Sequence, residues 1–199
     1  MKQQIEHRAF KAEIRSTRGA ANPQLTGYAA LFNTVTDLGS FREQIAPAAF
    51  DRALREKHDV RFLMNHDPSL VLGRSKSGTL ALSRDTKGLK FACDAPTTQL
   101  GRDVHTLVER GDLDQMSFGF IVTDESHSCD ADGRCLRTIK DVDLKDISVV
   151  TYPAYEGTSC EARSIAEFAA GLRTAKRAAP SCPGDRDYYM KLTYLAGLE

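Results

Sequence analysis

Residues 115–122 alternate strictly, with Met116, Phe118, Phe120 and Val122 on one side and Gln115, Ser117, Gly119 and Ile121 on the other. Strand side chains point to opposite faces with a period of two, so this segment is a strand with one heavily apolar face, and Ser117 points away from it. The same period recurs over 59–65, where Val60, Phe62 and Met64 alternate with Arg61, Leu63 and Asn65, and that strand delivers His66 at its end. Short strands are also predicted at 79–83 and 89–94, joined as a hairpin by the turn 84–88. Apolar stretches at 10–14 and 27–32, parted by turn-rich 18–23, give a strand, turn, strand opening, and 137–152 reads as strand closed by Pro153. So many short strands at close spacing argue for a mainly β chain with helices (α+β), built on a closed or nearly closed antiparallel sheet rather than parallel βαβ units.

Two helices interrupt the strands. Pro47 at a first-turn position, followed by apolar residues at helical spacing, predicts one over 47–56. Thr98 caps a second, in which Leu100, Val104, Leu107 and Val108 form a stripe ended by Gly111. From about Arg163 the composition shifts to Ala, Arg and Lys. Residues 164–176 read as a helix with Arg173, Lys176 and Arg177 at its end, and 179–184 as a linker-like break. The organisation expected is a β domain over 1–163 and a helical or flexible C-terminal extension over 164–199.

Lys and Arg number 27 among 199 residues and are matched by 27 Asp and Glu. With no net charge, the chain lacks the footprint that nucleic-acid or anionic-membrane binding leaves. An apolar fraction of 41 % excludes disorder along the whole chain. No run approaches the roughly 18 apolar residues of a membrane helix, and residues 1–8 lack the apolar core of a signal peptide. The expected compartment is therefore the cytoplasm, where the five cysteines (Cys93, Cys129, Cys135, Cys160, Cys182) stay reduced and most serve as apolar fillers or bystanders.

Three residues carry candidate chemistry. A histidine titrates near neutral pH, which makes His66 a candidate general base; the alternative is a surface or capping histidine. Ser117 is a hydroxyl on a rigid strand beside Gly119, although no Gly-x-Ser-x-Gly elbow surrounds it, which speaks against an α/β-hydrolase. Asp146 is an acid among strand residues that can orient an imidazole, or instead pair with a neighbouring Lys or Arg. Asp67 is a poorer orienter, because adjacent side chains rarely face one another. His127, Cys129, Asp130, Asp132 and Cys135 invite a metal reading, but their spacing fits neither a zinc knuckle nor an EF-hand. With Asp132-Gly133 as a two-residue turn, Cys129 and Cys135 fall on opposite faces, so a hairpin tip is preferred over a metal site or disulfide. His58 and His105 have no partner pattern and read as solvated.

In order along the chain come Gly27-Tyr28-Ala29 with Phe32-Asn33, Pro47-Ala48-Ala49-Phe50, Asn65-His66-Asp67-Pro68 with Leu72-Gly73-Arg74, Met116-Ser117-Phe118-Gly119-Phe120, and Asp146-Ile147-Ser148-Val149-Val150-Thr151-Tyr152-Pro153-Ala154. This series, from about Ile14 to Arg163, resembles the caudovirus prohead proteases, the HK97-type maturation enzymes. Ala48 stands where that family usually has Gly, and Asp146 where it often has Glu. The resemblance implies a fold like that of the herpesvirus assemblins, a small β-barrel of about seven strands wrapped by helices.

The resemblance also implies a serine endopeptidase, packaged inside the immature capsid in the host cytoplasm, that cuts scaffold or the scaffold-like N-terminal region of the major capsid protein, and itself as well. By motif match Ser117 is the nucleophile, His66 the base and Asp146 the third member; an oxyanion donor is expected from backbone N–H groups or an arginine, with Arg163, shortly after the Pro153-Ala154 turn, a candidate. No metal or organic cofactor is needed. A homodimer is implied by analogy with assemblins. The competing readings are a catalytically silent assembly scaffold of the same fold and an esterase-like hydrolase.

Overall fold

The computed structural model of the chain describes residues 5–11, 14–18, 23–39, 41–130 and 133–152. Pro153, Arg163, the expected helix at 164–176 and the whole extension 164–199 lie outside them. In chain order the elements are β1 (Glu6–Lys11), β2 (Ile14–Arg18), β3 (Pro23–Leu31), β4 (Thr36–Asp37), β5 (Arg42–Ile45), α1 (Asp51–Arg55), β6 (Arg61–Met64), β7 (Asp67–Arg74), β8 (Leu80–Arg84), β9 (Gly88–Asp94), α2 (Gln99–Arg110), β10 (Gln115–Cys129) and β11 (Cys135–Val150). The chain is thus mainly β. Its described residues fall into two compact units, a larger one holding residues up to Val35, Gln44–Ser126 and the chain from Thr138, and a smaller one holding Thr36–Glu43 and His127–Arg137.

In the larger unit one sheet runs β1-β10-β11-β5, with β6 paired to both β11 and β7, and a second runs β2-β3-β9-β8. This corrects the expectation of one closed barrel of about seven strands. Closure requires the outer strands of a sheet to pair with each other. Among the described residues β2 and β8 are the outer strands of the second sheet, β1 is an outer strand of the first, and none of them closes a ring. The pairing is not all antiparallel either, because β6 runs parallel to β11 with Asp146 opposite Arg61 and Ser148 opposite Leu63. A parallel pair needs a long crossover, and the chain between these two strands, which includes α2, supplies it.

The apolar face of β10 enters the core as its alternation requires. Met116, Phe118 and Phe120 are fully buried, the last two rings stack 4.8 Å apart, and Phe50 meets Phe118 edge-on at 5.7 Å. Each such side chain contributes about 1.5–3 kcal/mol by leaving water. Helix α2 has the caps expected of it: Thr98 Oγ1 accepts from the Gly101 amide at 3.3 Å, and Gly111 closes it at φ 80°. Helix α1 is shorter than predicted. Around Pro47 the chain makes turns, with Ala49 N–H donating to Ala46 and Asp51 N–H to Ala48, before the helix begins. His105 is not solvated as expected but buried, 2.7 Å from Ser16 Oγ. Cys93 is an apolar filler, and burial pushes its thiol up to about 12.

Arg52 fastens α1 to β11. Its guanidinium donates to Asp141 Oδ2 at 2.7 Å and Asp143 Oδ1 at 2.8 Å, and the Arg52 bond holds the Asp143 carboxyl below the usual carboxylate range. A carboxyl lowered on folding stabilises the fold above its unfolded value near ~4, and that contribution is lost as pH falls through the folded value. Arg52→Met should therefore cost about 1 kcal/mol at pH 7, and the gap to the unsubstituted chain should narrow below about pH 4. Chemical denaturation at both pH values checks this, and an equal gap at both would exclude the ion pair as its source.

In the smaller unit β4 pairs with β5, Thr36 facing Glu43, and Arg137 donates to the buried Glu43 carboxylate at 3.0 Å. Cys129 and Cys135 form a disulfide, which corrects the reading of both as bystanders on opposite faces. The cause is the turn. Asp130 N–H donates to the Arg134 carbonyl at 3.0 Å, so three residues rather than two separate the closing pair, and Gly133 takes φ 75°. That extra residue shifts the register and sets the cysteines directly opposite one another.

Candidate active site

His66 sits on a two-residue hairpin loop. Met64 pairs with Asp67 across β6 and β7, leaving Asn65 (φ 53°) and His66 (φ 58°) both left-handed, as the tightest hairpin turns require. Asn and His adopt this conformation more readily than most residues, but each non-glycine residue there still costs about 1–3 kcal/mol. The end of β11 holds the turn in place. Asn65 N–H donates to the Val149 carbonyl at 2.9 Å, Asn65 Oδ1 accepts from Thr151 N–H at 2.9 Å, and His66 N–H donates to Ser148 Oγ at 3.2 Å. Pro68 is tolerated because β7 pairs only with β6 among the described strands. Asp67 is engaged locally, accepting from the amide and hydroxyl of Ser69, and does not orient the imidazole.

The strained turn aims the ring between two strands. His66 Nε2 lies 2.6 Å from Ser117 Oγ on β10, and His66 Nδ1 lies 2.6 Å from Asp146 Oδ1 on β11. Because a carboxylate only accepts, Nδ1 carries the ring proton, and Nε2 is left to accept from the serine hydroxyl. Ser117 is 0 % exposed and Asp146 8 %, whereas the His66 side chain keeps 18 % of its surface. Ser117 does leave the apolar face of β10, as its alternation requires, but the face it points to is buried as well.

Two further residues complete the cluster. Ser148, fully buried, donates its hydroxyl to Asp146 Oδ1 at 3.1 Å while accepting from the His66 amide, so one side chain ties the turn to the acid. His7 comes from β1, where it pairs with Gly119 of β10; its ring packs edge-on against His66 with centroids 4.0 Å apart, and its Nδ1 is 3.1 Å from His66 Nδ1. Burial first, and then the charge of a protonated His66, lower its proton affinity from the ordinary histidine value. Sequence reasoning passed His7 over. Its place depends on a register between strands more than a hundred residues apart, for which no local pattern exists.

Gly119 makes room for this arrangement. A Cβ there would stand 2.2 Å from Asp146 Oδ2 and 3.1 Å from His7 Cε1. Gly119→Ala should leave the fold standing, since the carboxylate can swing aside, but move it from the imidazole. A displacement of about 1 Å at a reacting group lowers turnover by roughly 10²-fold. Rate and melting temperature measured together would test this; an unaltered rate would mean that Asp146 does not act on His66.

A hydroxyl, an imidazole and a carboxylate hydrogen-bonded in series form the arrangement that nucleophilic hydrolases use to activate an alcohol. The family model for caudovirus prohead serine proteases matches residues 10–170. The chain belongs to that family. It is 30 % identical over 149 residues to the prohead protease of Enterobacteria phage HK97, an alignment covering 73 % of this chain and 62 % of that protein, so the chain spans less than two thirds of its relative. Its fold is similar to that of the bacteriophage T4 capsid assembly protease, with TM-score 0.52 at 9 % identity, over 75 % of this chain and 98 % of the other.

Proposed function

We propose that the chain is a serine endopeptidase that cuts scaffold, or the scaffold-like N-terminal region of the major capsid protein, inside the immature phage capsid. The observation that carries this is the series Ser117, His66, Asp146, with both bonds at 2.6 Å, in a member of a serine protease family. His66 takes the Ser117 proton as Oγ attacks the peptide carbonyl, and then returns it to the leaving amine. Asp146 fixes the tautomer and steadies the imidazolium, and water then releases the acyl group by the same route. The chain's own residues supply the acid–base steps. The oxyanion is proposed to be held by backbone N–H groups or by an arginine, with Arg163, which follows the Pro153-Ala154 turn in the sequence, the candidate. A homodimer, an extension over 164–199 that targets the enzyme or is cut by it, and cleavage of itself belong to the same proposal.

No helix among the described residues is long and apolar enough to cross a membrane. The test is co-expression with the major capsid protein of the same phage, followed by intact-mass measurement of both chains. A capsid protein shortened at its N-terminal side, together with a Ser117 adduct from a serine-directed phosphonate, is the expected result. Assembled particles with uncut protein and no adduct would favour the silent scaffold, and turnover of esters without peptides would favour the esterase.

A further inference from the structure

The proposed mechanism leaves His7 without a task. Yet His7, His66 and Asp146 each offer a ligand atom beside the nucleophile, and the three atoms lie within 4.8 Å of one another. They come from three separately anchored places: β1, the β6–β7 turn and β11. The two nitrogens stand 3.1 Å apart, and His66 Nδ1 is 2.6 Å from Asp146 Oδ1. Zinc bonds of 2.0–2.2 Å in tetrahedral geometry call for donors about 3.3 Å apart, so the Asp146 carboxylate must swing round, parting from His66 Nδ1 while the widest donor separation, within 4.8 Å, closes. Gly119, with no side chain opposite His7, leaves that movement free.

We propose that His7, His66 and Asp146 form a binding site for a divalent transition-metal ion of the zinc type, and that filling it switches the enzyme off. Two imidazoles and one carboxylate suit zinc, cobalt or nickel, whereas magnesium and calcium call for oxygen donors. The switch is a matter of tautomer, and it rests on the proposed role of His66 as base. A metal on Nδ1 takes the lone pair that appears when the ring proton leaves that nitrogen. In a neutral imidazole the proton then sits on Nε2, so no proton is released overall. Nε2 now donates to Ser117 Oγ and can no longer accept its proton. The metal also occupies the carboxylate that would stabilise the imidazolium, so occupation and catalysis exclude each other.

The test uses the untagged full chain carrying Ser117→Ala, titrated with Co²⁺ and then with Zn²⁺. One equivalent of cobalt should bind with a visible d–d spectrum and no thiolate charge-transfer band, and zinc should displace it. His7→Gln and, separately, Asp146→Asn should each weaken binding at least about tenfold. In the chain with Ser117 intact, zinc should suppress cleavage and a chelator restore it. With His7→Gln, each rate being referred to that variant's own rate in chelator, the suppressing zinc concentration should rise by the same factor. No single-equivalent binding, binding through thiolates, indifference to His7→Gln, or binding that leaves cleavage untouched would each overturn the proposal. A chain that binds cobalt as expected but cuts nothing in chelator would instead overturn the peptidase reading and support the metal site.

Discussion

Replacing Ser117 by alanine should lower cleavage of the capsid protein by at least about 10⁴-fold while the chain still folds. The magnitude follows from the site's division of labour. Without Oγ there is no acyl intermediate, and the base at 2.6 Å has no hydroxyl to deprotonate. Whatever oxyanion stabilisation and substrate positioning remain act only on adventitious water. The cost to stability should be small, because alanine fits the space of a fully buried serine and the change leaves one unsatisfied imidazole nitrogen, worth about 1–3 kcal/mol at a fully dry site. The His66 edge is partly exposed, which puts the expected loss at the low end. Intact-mass kinetics on wild type and variant, with melting curves for both, separate the two effects. Cleavage that persists in a well-folded Ser117→Ala chain would end the nucleophile assignment.

What was legible in the sequence is what short-range physics dictates. The alternation around Ser117 placed the core face of β10 correctly, and Thr98 with Gly111 bounded α2, because strand period and helix caps are local. Local context and motif mark His66, Ser117 and Asp146, and the structure brings their side chains together. The misses are long-range or hinge on one residue of register. The parallel pairing of β6 with β11 and the division into two sheets depend on contacts between distant segments. The Cys129–Cys135 disulfide hinges on a turn one residue longer than the two-residue turn that Asp132-Gly133 suggests. His7 was invisible because nothing in its neighbourhood reports that Gly119 will lie across from it. The strain at Asn65-His66 was equally hidden, since the chain there shows only an Asn beside a His, and what sustains their positive φ comes from Ser148, Val149 and Thr151.

Asp146→Asn should be nearly as damaging as loss of the nucleophile, with turnover down about 10³–10⁴-fold and almost no change in shape. The amide keeps the volume of the carboxylate but can present an N–H where only an acceptor serves. If the introduced amide turns its NH₂ toward His66, the ring must accept at Nδ1 and carry its proton on Nε2, the tautomer that cannot receive a proton from Ser117. If it turns its oxygen there, the tautomer survives, but the negative charge that steadies the imidazolium is gone. Ser148 biases the choice, because its hydroxyl donates to the Asp146 oxygen nearest the ring and can accept from an amide only by releasing that bond. Ser148→Ala combined with Asp146→Asn should therefore not add its full single-variant loss, and a double-mutant cycle would show the coupling. Nitrogen-15 shifts of the His66 ring in Asp146→Asn would identify the tautomer directly. An Nδ1-protonated ring together with full activity would show that the negative charge of Asp146 is not needed to stabilise the imidazolium, and that its oxygen serves only to hold the tautomer.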